Sequence, residues 1–270
     1  MSVSCGWAFS RPLSYDARAM APSIPAVEFR SVSKSFGNGR PALAEISFSV
    51  APGENLVLLG TSGSGKTTTL KMINRLVEPD SGEVRVNGRE VREWDPIKLR
   101  RQAGYVIQDV GLLPHFRIWE NVALVPRLEG WPAARQRDRA FELLDLLGLA
   151  PKEYAEKWPE ELSGGQKQRV GVARALALDP PLLLMDEPFG ALDPITRRYI
   201  QKEFLALEQK LGKTVVFVTH DVPEAFRIAD RIAVFDQGRI LQIGTRQEIL
   251  ERPADGFVRE FVRYDTLEAC

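Results

Sequence analysis

Short apolar runs, separated by turns rich in glycine, proline, asparagine and aspartate, recur along the chain. Continuous apolar runs of roughly four to eight residues are typical of buried parallel strands, whereas alternating runs are typical of strands packed on one face. The sequence predicts buried strands at 56–59, 105–107, 182–185 and 214–218. It predicts alternating or hairpin strands at 27–32, 46–50, 83–86, 232–235 and 239–243.

Helical periodicity fills most of the intervals between these strands. Apolar or small residues recur at helical spacing in 66–76 and in the stretches that follow positions 163 and 193. Segment 111–159 is punctuated by prolines around amphipathic stretches, which predicts a helical insertion with His115 and Trp119 as surface-packed side chains at its entry. Asp221 and Glu224 have the spacing of a capping box, and the residues after 250 predict a short helical tail.

Composition places the chain among ordinary globular proteins and gives no sign of a general attraction to nucleic acid or lipid. The 270 residues include 36 basic and 36 acidic side chains, so no net charge attracts nucleic acid or anionic lipid. Cys5 and Cys270 lie at opposite ends, which favours a reducing compartment over a disulfide. No apolar run approaches the roughly 20 residues that span a bilayer. Residues 1–26 lack both periodicity and a signal-peptide core, so we interpret them as a loose extension with Met20 as a candidate translation start.

One stretch carries a motif with a specific chemistry. The sequence from Gly60 to Thr68 fits G-x-x-x-x-G-K-[ST] between a predicted strand and a predicted helix, the arrangement of a phosphate-binding loop. Its glycines let backbone N–H groups face phosphate oxygens, Lys66 would neutralise phosphate charge and Thr67 would hold Mg²⁺. The alternative is a Gly/Ser-rich turn that merely links strand to helix, and such a turn does not need Lys-Thr at its end. The predicted nucleotide contacts are Gly60, Thr61, Ser62, Gly63, Ser64, Gly65, Lys66, Thr67 and Thr68.

A second motif, Leu162-Ser163-Gly164-Gly165-Gln166, opens another predicted helix. Ser163 supplies a hydroxyl, and Gly164 and Gly165 expose N–H groups at the positive end of the helix, so this helix start also suits an anion. Because one nucleotide needs only one such cradle on its γ-phosphate side, the second suggests a nucleotide held by another copy of the chain. On these residues the chain resembles the ATPase subunits of ABC transporters, whose signature motif is LSGGQ, over roughly residues 27–250.

Two carboxylates follow the apolar strand 182–185 at its carboxyl end, where open α/β sheets bind their ligands. The resemblance implies that Asp186 supports Mg²⁺ and that Glu187 polarises the attacking water. The alternative is that both carboxylates cap the turn before Pro188. His220 follows strand 214–218 and resembles the switch histidine, which contacts the γ-phosphate, although a lone histidine in such a place is usually structural.

Three further residues match positions of the same family. Gln108 resembles the Q-loop glutamine, whose amide reaches Mg²⁺ or the attacking water, but it could also be an ordinary residue at a strand end. Phe36 resembles the adenine-stacking aromatic, and the alternative is a side chain that packs in the core or in a turn. Asp193 lies in a segment that resembles the D-loop, which crosses the dimer interface, and the alternative is a cap of the following helix. With Ser163, Gly164, Gly165 and Gln166, it is predicted to contact nucleotide across that interface.

The resemblance also implies a fold and a set of partners. The expected fold is α/β, a three-layer P-loop NTPase (RecA-like) core with an antiparallel β subdomain. A helical subdomain at about 111–175 lies within an ATPase domain at 27–250, and a tail follows at 251–270. ATP and Mg²⁺ are the implied cofactors, and two chains would close head to tail around two ATP molecules.

The implied partners are integral membrane permease subunits, docked near Gln108 to His115. The chain would then be peripheral at the cytoplasmic face of the inner membrane, with a substrate-binding protein acting indirectly and no nucleic acid involved. The runs 71–76, 111–115 and 120–126 resemble importers of glycine betaine, choline and similar osmoprotectants. One alternative is an importer of another small solute such as an amino acid. The other is an ABC-type ATPase acting on DNA or ribosomes, which usually carries two tandem units or a long coiled coil, and this chain has neither.

Overall fold

The computed structural model describes residues 24–37, 41–108, 110–190 and 192–267. The described residues form ten strands, and the predicted extension up to residue 23, with Cys5 and Met20, lies outside them, as does Cys270. The strands are β1 (Val27–Lys34), β2 (Leu43–Val50), β3 (Asn55–Gly60), β4 (Ser81–Val86), β5 (Arg89–Glu90), β6 (Ala103–Val106), β7 (Leu182–Asp186), β8 (Thr214–Thr219), β9 (Arg231–Asp236) and β10 (Arg239–Gly244).

Eleven α-helices occur in the same described ranges. They are α1 (Lys66–Ile73), α2 (Pro96–Gln102), α3 (Ile118–Val122), α4 (Leu124–Leu128), α5 (Ala133–Leu146), α6 (Pro151–Tyr154), α7 (Gly164–Leu176), α8 (Pro194–Leu211), α9 (Val222–Ile228), α10 (Arg246–Glu251) and α11 (Gly256–Leu267). None of the helices in these ranges is both long and apolar enough to cross a bilayer.

The larger sheet contains six strands in the order β10-β9-β3-β8-β7-β6. Its strands are parallel except for β10, which pairs antiparallel with β9 as the predicted closing hairpin. Every residue of β3, β7 and β8 is buried, as expected for continuous apolar strands that are covered on both faces. The carboxyl ends of these three strands therefore open together at one edge of the sheet.

The smaller sheet is antiparallel, with the order β2-β1-β4-β5. Its alternating pattern buries one face, where the rings of Phe29 and Phe48 stack with centroids 4.6 Å apart. The hairpin that the sequence predicts around Asn87 is present, with Val86 paired to Arg89. The predicted antiparallel β subdomain is thereby confirmed.

Strand β3 shows how the layers are stacked. Its Val57 and Leu59 contribute to one hydrophobic cluster, which also receives buried residues from α7, α8 and α9. Leu56 and Leu58 contribute to the other cluster, with residues from the smaller sheet and from α1 and α2. Because alternate side chains of a strand point to opposite faces, the large sheet is the middle of three layers, as predicted. Helices α3 to α6 lie within the segment 111–159 that was predicted as a helical insertion, and most of α7 lies within the expected helical subdomain at about 111–175.

Some helices and strands begin or end at other residues than the hydrophobic pattern predicts. Helix α1 ends at Ile73 rather than Leu76, because Arg75 has a φ of 53° and its guanidinium donates to the carbonyl of Trp94. Ile107 lies outside β6. Ala26, assigned to the loose extension, instead donates its N–H to the carbonyl of Val50 and thereby extends the pairing of β1 with β2 by one residue. The helical tail packs closely, since its Val258 is fully buried in the core.

Candidate functional site

The loop between β3 and α1 is shaped by close backbone approaches at two of its glycines. A Cβ atom at Gly60 would lie 2.2 Å from the carbonyl oxygen of Phe235. At Gly65 the φ angle is 105°, and a Cβ atom would lie 2.6 Å from both the carbonyl oxygen of Ala42 and a methyl carbon of Leu43. Only glycine fits these positions without moving the backbone.

Gly65→Ala is expected to lower the free energy of unfolding by about 2 kcal/mol or more, because backbone strain and overpacking act together. Gly63→Ala is the matched control, since Gly63 also has a positive φ, of 77°, but nothing lies within 4 Å of its Cβ position. It should cost about 1 kcal/mol through strain alone. Denaturant unfolding of both variants measures the difference, and equal losses would contradict the steric argument.

Lys66 lies at the centre of this loop, with 4% of its surface exposed. Its Nζ donates to the carbonyl oxygens of Gly60 and Thr61, each at 2.7 Å. Burial lowers the pKa of Lys66, while the nearby carboxylates of Glu187 and Asp186 act in the opposite direction. The ammonium group is thus held by loop carbonyls that phosphate oxygens could replace.

Thr67 and Asp186 meet at the carboxyl end of β7. The hydroxyl of Thr67 donates to Oδ1 of Asp186 at 2.9 Å. Burial raises the pKa of Asp186, and the hydrogen bond from Thr67 opposes that effect. Burial and the charge of Asp186 also raise the pKa of the neighbouring Tyr105 to about 12. A hydroxyl and a carboxylate oxygen at this distance fit the ligand preference of Mg²⁺.

The carboxylate of Glu187 is the point where the three predicted catalytic side chains converge. Its Oε2 lies 3.2 Å from Nδ1 of His220 and 3.5 Å from Nε2 of Gln108. Glu187 has a φ of 43°, and its backbone N–H donates to the carbonyl of Val218 at the end of β8. This left-handed conformation turns the side chain at the strand end, and such conformations in non-glycine residues are enriched at functional sites.

A cleft of about 590 Å³ contains this arrangement. It is lined by Phe36, Ala42, Thr61, Ser62, Gly63, Ser64, Gly65, Lys66, Thr67, Thr68, Gln108, Glu187, His220 and Phe261. Phe36 is 60% exposed, which excludes the core-packing alternative, and Nζ of Lys34 lies 5.4 Å from its ring centroid. Phe261 was not predicted. The only sequence signal for it is the amphipathic pattern of α11, which does not indicate a cleft.

The signature segment lies elsewhere in the chain. Ser163 caps α7, because its Oγ accepts from the backbone N–H of Gln166 at 3.3 Å. The side chain of Gln166 accepts from the N–H of Ser163 and donates to the hydroxyl of Tyr154. Gly164 is exposed, whereas Gly165 is buried and a Cβ atom there would lie 3.0 Å from Thr196. Among the described residues, none of this segment lines the cleft that contains Lys66.

Two residues near the cleft act as helix caps in the structure. Asp193 accepts hydrogen bonds from the N–H groups of Ile195 and Thr196 at 3.1 and 3.0 Å, which is the capping alternative. Its neighbour Ala191 lies outside the described residues. Asp221 caps α9 through the N–H of Glu224 at 2.7 Å.

The predicted capping box at Asp221 is wrong in its second half. The carboxylate of Glu224 does not return to the N–H of Asp221, which donates instead to the hydroxyl of Thr219. It turns inward and accepts from Nε2 of Gln201 at 2.7 Å. A capping-box pattern specifies only the local spacing, so it cannot exclude a partner on another helix.

The chain is similar in sequence to known ATP-binding proteins of transporters. The profile of the protein family described as ABC transporter matches residues 43–190. The glycine betaine/carnitine/choline transport ATP-binding protein of Bacillus subtilis is 52% identical over 241 residues, which are 89% of this chain and 63% of that protein. The glycine betaine uptake system ATP-binding protein of Escherichia coli is 52% identical over 235 residues, covering 87% of this chain and 76% of that protein.

The chain therefore spans less than two thirds of the length of the first of these relatives. Among solved structures, a dimeric ATP-binding cassette in a post-hydrolysis state with ADP and phosphate bound has a similar fold. Its TM-score is 0.73 at 34% identity, over 81% of this chain and 98% of that one.

Proposed function

The chain belongs to the ABC transporter family of ATP-binding proteins, and from this premise we propose that it hydrolyses ATP to drive the import of quaternary-ammonium osmoprotectants such as glycine betaine or choline. The observation that carries the hydrolytic part is the carboxylate of Glu187, which lies within 3.5 Å of both Gln108 and His220 in the cleft of the phosphate-binding loop. A carboxylate in that place can accept a proton from water as the water attacks the γ-phosphate.

The other predicted residues of the site have distinct roles in this proposal. The loop N–H groups and the ammonium of Lys66 would bind phosphate oxygens, and Phe36 would stack on the adenine. Thr67 and Asp186, with the amide oxygen of Gln108, would hold Mg²⁺, which when bound neutralises negative charge on the phosphates. His220 would orient the water and Glu187 through its contact with the carboxylate.

The active unit would be two chains arranged head to tail. Ser163 and Gly164 form an exposed helix start that is not part of the chain's own cleft, and a second anion-binding helix start of this kind suits the nucleotide of a second copy. The dimeric state of the solved cassette that binds ADP and phosphate supports the same arrangement. Asp193, at the start of α8, would lie at the contact between the chains.

The names of the relatives support the proposed cargo and partners. The Bacillus subtilis relative is named as an ATP-binding protein for transport of glycine betaine, carnitine and choline, and the Escherichia coli relative as one for glycine betaine uptake. Permease subunits would supply the membrane path and dock on the helical subdomain near Gln108 to His115. A substrate-binding protein would act through the permease, and the chain would lie at the cytoplasmic face of the inner membrane.

Cells that lack the gene are expected to lose most of the uptake of labelled glycine betaine or choline that follows osmotic upshift. The wild-type gene should restore uptake, and a Lys66→Ala gene should not, because its product retains the fold but loses phosphate contacts. Unchanged uptake of both solutes in the deletion strain would reject glycine betaine and choline as the imported solutes. Copurification with ribosomes or DNA instead of an integral membrane protein would reject the role in transport.

A further inference from the structure

Helices α8 and α9 are joined by polar contacts directly behind His220. Nη1 of Arg197 lies 3.1 Å from Oδ2 of Asp221, and one turn further along α8 Nε2 of Gln201 donates to Oε1 of Glu224 at 2.7 Å. The guanidinium of Arg227 donates to the other end of the Gln201 amide. The two helices are therefore locked in one register by side chains of both.

This contact lies largely inside the protein. Gln201 is 2% exposed and Glu224 is 5% exposed. Burial raises the pKa of Glu224, and its hydrogen bonds from Thr219 and Gln201 oppose that effect. A buried carboxylate is costly unless its partners are in place, so a shift of α9 relative to α8 that removed Gln201 from Glu224 would be unfavourable.

The same side chains connect the two segments that carry the catalytic pair. Asp221 immediately follows His220, and its second oxygen caps α9. Nη2 of Arg197 donates to the carbonyl of Leu192 at 3.1 Å, in the segment that follows Glu187. One guanidinium thus bridges the chain beyond Glu187 and the chain beyond His220.

His220 needs such support because packing does little to fix it. The side chain of His220 is 61% exposed, and its Nδ1 lies 3.2 Å from the carboxylate oxygen Oε2 of Glu187. The position of the ring therefore depends on the backbone of residues 219–221. That backbone is held by the cap at Asp221, by the bond from its N–H to Thr219 and by the ion pair with Arg197.

We propose that Arg197 and Glu224 are positioning residues for hydrolysis, which hold the imidazole of His220 against Glu187 by fixing α9 on α8. This inference rests on the proposed function, since it assumes that the contact between His220 and Glu187 serves ATP hydrolysis. Neither residue touches the cleft. A structural bond between two helices would instead affect stability and leave the turnover of folded protein unchanged.

The test compares Arg197→Met with Arg198→Met, which removes the adjacent, exposed arginine of the same helix. Arg197→Met is expected to lower kcat for ATP about 10- to 100-fold, as misplacement of a catalytic group by about 1 Å does, with KM and ATP affinity within about twofold of wild type. Arg198→Met should keep wild-type kcat. Arg197→Lys keeps the charge but has a single nitrogen in place of the two Nη atoms that reach the two segments, so its kcat should fall between those of the other two variants.

A second readout does not depend on activity. The sequence contains two histidines, His115 and His220, so an NMR spectrum of the imidazole groups contains signals from two residues. The spectrum of a His115→Gln variant assigns them, because only the His220 signals remain. Arg197→Met and Glu224→Gln should each shift or broaden the His220 signals, while the His115 signals stay unchanged as an internal control. Glu224→Gln is the conservative variant, because the amide keeps the size of the buried group.

Four results separate the possible outcomes. Wild-type kcat in folded Arg197→Met, or an equal loss in Arg198→Met, would overturn the inference. Unchanged His220 signals in both Arg197→Met and Glu224→Gln would also overturn it. A wild-type chain that releases no phosphate from ATP would refute the proposed function instead, and the NMR comparison would still report whether α8 positions His220.

Discussion

A Glu187→Gln variant is expected to hydrolyse ATP about 10²- to 10⁴-fold more slowly than the wild type, because loss of a general base typically costs that much. Glutamine keeps the size and hydrogen-bonding reach of glutamate but cannot take a proton from water. The contacts of Gln108 and His220 converge on the oxygen that is replaced, so the variant changes the chemistry of the cleft with little change in its packing.

The same substitution is expected to stabilise the ATP-bound dimer. The phosphate contacts of Lys66 and of Ser163 from a second chain would remain, and removal of the carboxylate relieves its repulsion with the γ-phosphate. Size-exclusion chromatography with ATP and Mg²⁺ should therefore show more dimer than the wild type, for which hydrolysis ends the bound state. A phosphate-release assay on the same fractions measures the loss of turnover.

Lys66→Ala provides the contrast, because it should weaken ATP binding itself. Hydrogen bonds that involve a charged group contribute about 1.5–3 kcal/mol, so a loss of about 10- to 150-fold in affinity is expected. Wild-type hydrolysis by Glu187→Gln would reject Glu187 as the base. A Glu187→Gln chain that binds ATP but stays monomeric would count against the two-chain arrangement.

Much of the fold was predictable because continuous apolar strands leave a strong local signal. Strands β3, β7 and β8 are fully buried, and their runs of Leu, Val, Met and Phe appear in the sequence without interruption. The residues that follow these strands then had to meet at one sheet edge. The geometry at Lys66, Glu187 and His220 follows from parallel strand order, which brings the carboxyl ends together.

The residues that the sequence did not indicate act through contacts between distant segments. Glu224 has the local spacing of a capping box, and only the packing of α8 on α9 gives its carboxylate a partner in Gln201. Phe261 enters the cleft from α11, more than 190 residues beyond the phosphate-binding loop. Neither of these contacts has a motif of its own in the sequence, because each depends on the relative placement of helices and not on spacing along the chain.

A Ser163→Arg variant is expected to bind ATP with wild-type affinity, remain monomeric and lose hydrolysis by about 10²-fold or more, a typical cost of losing a donor to the reacting group. Ser163 lies outside the chain's own cleft, so the substitution leaves the contacts of Lys66 and Thr67 intact. An arginine at the exposed start of α7 would occupy the space that the phosphates of the facing chain require. Titration of the Glu187→Gln/Ser163→Arg double variant with a fluorescent nucleotide measures ATP binding. Size-exclusion chromatography of the same variant measures formation of the dimer.

Ser163→Ala is the matched control at the same position. It removes the N-cap of α7, which costs about 0.5–2 kcal/mol, but leaves room for a phosphate. In the Glu187→Gln background it should therefore still dimerise with ATP, whereas Ser163→Arg should not. Equal dimerisation of the two double variants would refute a role for this helix start in closing the site. Loss of ATP binding by monomeric Ser163→Arg would show instead that α7 contributes to its own chain's nucleotide, which a two-chain site does not allow.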